Sequence, residues 1–170
     1  PVGPFVYQGS FRPNNAMSRD QTVFVDDDGR AYQFYSSENN ETMYISLLTD
    51  DYLKPSGRFT RNFVKESREA PAVFKYNGKY YFSYSTGDTH LLCYATGDNP
   101  YGPFTYQGVI LTPVVGWTTH HAIVEFKGKW YLFHHDCVPS EGKTWLRSLK
   151  VCELQYDADG RIITIEGKDE

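Results

Sequence analysis

One stretch constrains this chain more than any other, because it occurs three times. Its clearest copy is EAPAVFKYNGKYYFSYST (69–86); DQTVFVDDDGRAYQFYSS (20–37) and THHAIVEFKGKWYLFHHD (119–136) repeat its order of polar start, apolar run, glycine turn and aromatic run. The turn glycines Gly29, Gly78 and Gly128 lie 49 and 50 residues apart. Asn77-Gly78 is the strongest short hairpin signal, since a two-residue turn needs positive φ at both positions. Asp28-Gly29 and Lys127-Gly128 occupy the same place. A second anchor keeps the phase: PVGPFVYQG (1–9) returns as PYGPFTYQG (100–108), 99 residues on. A period of about 50 residues built from short strands predicts an all-β fold, a β-propeller of four-stranded blades.

The period divides the chain as a single partial propeller domain. Residues 1–19 are expected to supply the outer strand of a preceding blade and the link inward. Residues 20–68, 69–118 and 119–167 are expected to form one blade each. In the first, Pro55-Ser56-Gly57 reads as the turn into the outer strand; in the third, Asp159-Gly160 joins the last two strands. Propellers usually close with four to eight blades, so polypeptide beyond these three blades is expected to complete the ring.

Composition narrows the function classes. Aromatic residues form 16% of the chain, which suits strands and sugar binding, and the net charge of -4 comes with no basic run. Neither nucleic acid nor an anionic membrane is therefore an expected partner. No apolar stretch approaches the roughly 20 residues that span a bilayer, and PVGPFVYQGS is not a secretion leader, so localisation stays open. Cys93, Cys137 and Cys152 have no zinc-like spacing and read as buried thiols.

The first strand of each propeller blade lines the axis, so its start is where chemistry converges. Nine residues before the turn glycine stand Asp20, Glu69 and Thr119. Two carboxylates there suit acid–base work on a sugar, where an inverting glycosidase separates them by roughly 6.5–9.5 Å to admit a water. The plainer reading is that they bond nearby backbone N–H groups at loop ends. Strand alternation puts His121 on the face of the nine-before position and His120 on the other, unless a bulge shifts the register. Asp26, Asp27 and Asp28 are explained by turn chemistry, and His134 and His135 read as ordinary polar residues. Arg147, on an expected third strand, is either an interstrand cation or a grip on a sugar hydroxyl. Trp117 is either packing or a stacking surface for a sugar ring.

SRDQTVFVDDDGRAY, REAPAVFKYNGKYYFSYSTGDTH, YATGDNPYGPFTYQGVIL and GWTTHHAIVEFKGKWYLFHHD together resemble glycoside hydrolase family 43, over almost the whole chain. The resemblance implies part of a five-bladed propeller and an inverting hydrolase of plant-wall polysaccharide, of arabinofuranosidase or xylosidase type. It implies Glu69 as general acid and Asp20 as the aspartate that tunes the acid's pKa. It also implies Arg147 as a sugar contact and His120, rather than His121, as the histidine holding a central calcium ion or water. No other cofactor is implied. The part before Pro71 resembles galactanase-type members and the part from Tyr80 onward resembles xylosidases and arabinofuranosidases.

The family's base aspartate lies in a first blade with no counterpart in this sequence. General acid–base steps contribute roughly 100- to 10,000-fold each, so the chain alone is expected to hydrolyse poorly. The rival expectation is a sugar-binding or vestigial propeller fragment without turnover. An open array of blades would expose apolar faces and strand edges, which two copies or complementing blades could cover.

Overall fold

The computed structural model describes residues 2–13, 17–40, 42–62, 64–116 and 120–167. Among these residues, eleven strands form three antiparallel sheets in chain order. The first sheet is β1 (Ser18–Val25), β2 (Ala31–Ser37), β3 (Thr42–Leu48) and β4 (Pro55–Asn62). The second is β5 (Glu69–Tyr76), β6 (Lys79–Ser85), β7 (Leu92–Gly97) and β8 (Thr105–Leu111). The third is β9 (Ala122–Phe126), β10 (Lys129–Asp136) and β11 (Ser148–Leu154). The first strands lie side by side, β5 against both β1 and β9.

The sheets stack as propeller blades do, each burying an aromatic face against the next. Phe34, Met43 and Ile45 of the first sheet meet Phe82, Tyr84 and Phe104 of the second. On its other face the second sheet packs Phe74, Tyr81 and Tyr94 against Leu132 and Leu154 of the third. A fully buried side chain of this size contributes roughly 1.5–3 kcal/mol, so these two seams hold the three sheets in fixed relation. Cys93, Cys137 and Cys152 are buried thiols outside any disulfide, and burial raises the Cys93 thiol to about 11.

Four local expectations are corrected. Residues 2–11 form no strand: Val2, Phe5, Val6 and Tyr7 are exposed, because an outer strand needs a ladder beside it and none is available there. The turn into β4 falls at Thr49–Lys54, not Pro55–Gly57; Thr49 N–H donates to Lys54 O at 2.8 Å, and Pro55 already pairs with Leu48. A proline is tolerated there because β4 is an edge strand. The first hairpin turns through three residues rather than two: Asp26 N–H donates to Arg30 O at 2.9 Å, with Gly29 left-handed at φ 81°.

The fourth correction concerns the last segment, which adds no fourth strand to the third sheet. Tyr156 bridges Ile162, and the chain then runs back to the second sheet, where Ile165 bridges Leu111 in parallel. Ile165 N–H donates to Ile110 O at 2.8 Å and Thr112 N–H to Ile165 O at 3.0 Å. The free edge of β8 is thus covered by this strap, a common way of protecting a sheet edge.

Candidate active site

The site grows from two β-bulges. Thr22 pairs with Phe34 and Arg19 with Ser36, so Asp20 and Gln21 together oppose Tyr35. In the second sheet Ala72 pairs with Ser83 and Glu69 with Ser85, so Ala70 and Pro71 together oppose Tyr84. Asp20 (φ 55°) and Ala70 (φ 51°) are both left-handed, an uncommon state for residues with a Cβ. Bulges of this kind bend a strand and re-aim its side chains, often beside active sites.

The pairing also revises the repeat alignment. Thr22, Ala72 and Ala122 are equivalent, each opposite the fifth residue after its turn glycine. Asp20, Ala70 and His120 stand two residues earlier, whereas Glu69 is equivalent to Arg19. The extra turn residue of the first hairpin accounts for the one-residue offset between Asp20 and Glu69.

A cleft of about 180 Å³ is lined by Asp20, Glu69, Ala70, Ser85, His120 and Arg147. Asp20 Oδ2 accepts the Ala70 N–H at 3.2 Å, an amide that the second bulge displaces from regular pairing. The first bulge is thereby tied to the second. Glu69 Oε2 accepts from the Asn40 side-chain amide at 3.2 Å. Arg147 lies one residue before β11, not on it, and its Nε donates to Thr144 O at 2.9 Å.

The two axial histidines diverge. His120 lines the cleft, and its backbone N–H donates to His135 Nε2 at 3.3 Å. His121 turns away from it into the seam between the second and third sheets, where Nε2 lies 2.7 Å from Ser83 Oγ. Burial, then the neighbouring His120 and His134, push the His121 pKa down to about 3. His135 is pushed down to about 4, first by burial and then by the Arg147 charge, so it is neutral near pH 7 and free to accept at Nε2. His134 is buried with Nε2 at 3.3 Å from Cys152 Sγ. Trp117 lies outside the described residues.

Calcium prefers six to eight oxygen ligands. Among the described residues no group of three His, Cys, Asp or Glu side chains could hold a metal ion. The His120 imidazole is a single nitrogen donor, so the described residues do not fit calcium.

Asn40 is the residue that sequence reasoning missed. It closes a run, Glu38-Asn39-Asn40, whose three φ angles are 51°, 58° and 66°. The only sequence signal was the Asn-Asn pair, since asparagine tolerates the left-handed region better than most residues. Ser36 Oγ lies 3.3 Å from Asn40 Oδ1, which leaves the amide NH₂ directed at Glu69. Chemically, the cleft offers one carboxyl group held by a side-chain amide, a second fixed by a backbone amide, and a guanidinium and an imidazole for hydroxyl groups.

Comparison with known proteins places this architecture. The sequence is 57% identical to a xylosidase/arabinosidase of Bacteroides ovatus, over all of this chain and 64% of that protein. The fold matches the RS223 β-xylosidase with a TM-score of 0.83 at 49% identity, over 89% of this chain and 58% of the other. It matches equally well, at 0.83 and 44% identity, CoXyl43, a β-xylosidase/α-arabinofuranosidase from a compost metagenome solved with xylotriose in calcium-free form, over 90% of this chain and 59% of that one. The chain spans less than two thirds of the length of these proteins. With the profile of glycosyl hydrolases family 43 matching residues 1–162, the chain belongs to that family.

Proposed function

We propose that this chain carries the acid side of an inverting glycosidase that cleaves pentose linkages of plant-wall polysaccharide, of the β-xylosidase or α-L-arabinofuranosidase type. The observation that carries the reading is that Asp20 and Glu69, on the first and second sheets, and His120 and Arg147, beside strands of the third, line one cleft. Glu69 gives its proton to the departing glycosidic oxygen, and Asp20 is the carboxylate that tunes it. Arg147 and Trp117 hold the sugar, and His120 faces it from the axis or holds a water. In this chemistry a further carboxylate, beyond Asp20 and Glu69, takes the proton of the attacking water, and no organic cofactor takes part.

The test is hydrolysis of xylobiose and of nitrophenyl β-D-xyloside and α-L-arabinofuranoside by the chain and by Glu69→Gln. Nitrophenolate leaves readily without a proton, so loss of an acid should depress xylobiose turnover far more, by about 10²- to 10⁴-fold. Unchanged xylobiose turnover in Glu69→Gln removes the assignment.

A second reading is favoured by one observation: Asp20 and Glu69 are the only carboxylates among the described residues lining the cleft. In that reading the chain binds pentose without turnover until further polypeptide supplies a base. The third sheet's outward face, where Phe126, Leu149 and Val151 are exposed, would receive that polypeptide or a second copy. Pentose binding with no turnover, together with an assembled mass in solution, supports it; a strictly monomeric mass counts against it.

A further inference from the structure

The three sheets treat their outer edges differently. An edge strand is ordinarily blunted by a proline, a bulge or a covering segment. In the first sheet β4 starts on Pro55, and its pairing with β3 shifts register between Ser46 and Leu48. In the second sheet the strap lies on β8, through Ile165 and Leu111. The third sheet ends on β11, whose ladder with β10 runs without a shift from Trp130–Leu154 to Asp136–Ser148 and contains no proline between Ser148 and Leu154. Among the described residues no strand lies outside it.

The chain also holds an outer strand without a sheet. PVGPFVYQG (1–9) repeats PYGPFTYQG (100–108), and the second copy runs into β8, the outer strand of the second sheet. The described part of the first copy forms no strand, and Val2, Phe5, Val6 and Tyr7 are exposed. Residues 1–11 carry no charged side chain, the device that most often keeps an exposed strand from pairing.

The two features share one register. Phe82 and Leu132 each follow their turn glycine by four residues; Phe82 pairs with Ala95 of β7 and Leu132 with Cys152 of β11, so β11 occupies in the third sheet the place that β7 has in the second. β7 receives β8 with Thr105 opposite Thr96 and Gly108 opposite Tyr94. The same alignment puts Val6 opposite Glu153 and Gly9 opposite Val151.

We propose that residues 2–11 of one copy add to β11 of a second copy as the fourth, antiparallel strand of its third sheet, and that the second copy returns the same segment, closing a two-fold dimer. Main-chain hydrogen bonds supply the affinity in strand addition of this kind. The donor leaves from β1 in the first sheet, and the second sheet packs between that sheet and the third, so another copy rather than the same chain supplies it. A reciprocal exchange closes, whereas a strand given in one direction only would build an open chain.

The test is the mass in solution of the 170-residue chain and of a variant carrying both Val6→Pro and Tyr7→Pro, by light scattering, with circular dichroism as the folding control. Alternate N–H groups of a strand point to the same side, so one of the two prolines removes a donor facing β11. Both positions are exposed, so the fold is expected to survive. The wild-type mass should be twice 19.6 kDa and should halve in the variant. A labelled peptide copying residues 1–12 should then bind the variant, one per chain, and the same peptide with both prolines should not. A monomeric wild-type chain, an assembly of more than two chains, a dimer that survives the two prolines, or a peptide that does not bind the variant overturns the proposal. A surviving dimer would point instead to contact through the outward face of the third sheet. None of these outcomes touches the glycosidase reading, which the Glu69→Gln comparison tests separately.

Discussion

The Asn40 side-chain amide donates to Glu69 Oε2 at 3.2 Å, so a turn in the first sheet holds the proposed acid of the second. A carboxyl held by one donor keeps one orientation toward a glycosidic oxygen, and a misaligned acid slows proton transfer more than it weakens binding. In an active preparation Asn40→Ala should lower kcat on xylobiose about tenfold with little change in KM, the equivalent of one hydrogen bond to a charged group. The loss should shrink on nitrophenyl xyloside. Steady-state kinetics on both substrates checks it; an equal loss on both would show that Asn40 does not act through Glu69.

The far end of the same seam is closed by charge. Lys75 Nζ lies 3.1 Å from Asp26 and 2.6 Å from Asp27, and Tyr80 OH donates to Asp26 at 2.5 Å. Burial raises the Asp26 pKa, but bonds from Tyr80, the Asp27 amide and Lys75 outweigh it and hold the group below the ordinary carboxylate range. The ionised form therefore contributes stability that is fully present above the unfolded value near pH 4 and is lost as pH falls through the lower folded value. Asp26→Asn should lower stability at pH 7 by about 1 kcal/mol and flatten the change between pH 5 and 3. Urea unfolding at the three pH values measures both.

His121 titrates the other seam. Its folded pKa of about 3 lies well below the ordinary histidine value of about 6.5, so between these limits the unfolded chain binds more protons. Stability from this group is complete above about pH 6.5 and drains away on acidification toward pH 3. Melting temperature should fall from pH 7 to pH 5, and less steeply in His121→Gln, which can still bond Ser83. Parallel slopes for the two proteins would show that His121 is not the group responsible.

Tyr156 anchors the returning strap. Its ring stacks on Tyr76 with centroids 3.8 Å apart, and its buried hydroxyl has no hydrogen-bond partner among the described residues. Burial, then the surrounding tyrosines, push that hydroxyl above its ordinary pKa. Tyr156→Phe should be neutral or stabilising by up to about 1 kcal/mol, because an unpaired buried hydroxyl is removed. Tyr156→Ala should cost about 3–5 kcal/mol. Chemical denaturation of the pair separates the ring from its hydroxyl.

The three hairpins were legible because alternation and turn glycines are local signals, and Asn77-Gly78 turns as its sequence dictates. The offset between Asp20 and Glu69 was not, because a three-residue turn at Asp27–Gly29 and a two-residue turn at Asn77-Gly78 place the glycine at different distances from the strand start. Strand alternation favoured His121 for the axis and resemblance favoured His120; it is His120, two residues before Ala122 as Asp20 is before Thr22, that lines the cleft. Residues 1–9 match 100–108 closely, yet among the described residues only the second copy contributes a strand, since pairing depends on a neighbour rather than on composition. Asn40 touches Glu69 across 29 residues of chain, a contact that no window along the sequence contains.

The outward face of the third sheet affects how the protein can be assayed. Val124, Phe126, Leu149 and Val151 all point from it and are exposed, at 43%, 59%, 75% and 53%. Fluorophores that brighten in apolar surroundings read such a face as though the chain were already unfolded. The native protein will glow before it melts, and a dye-based melting curve will begin high and show little rise. Circular dichroism, which reports the strands rather than the accessible apolar surface, will record the transition that the dye obscures.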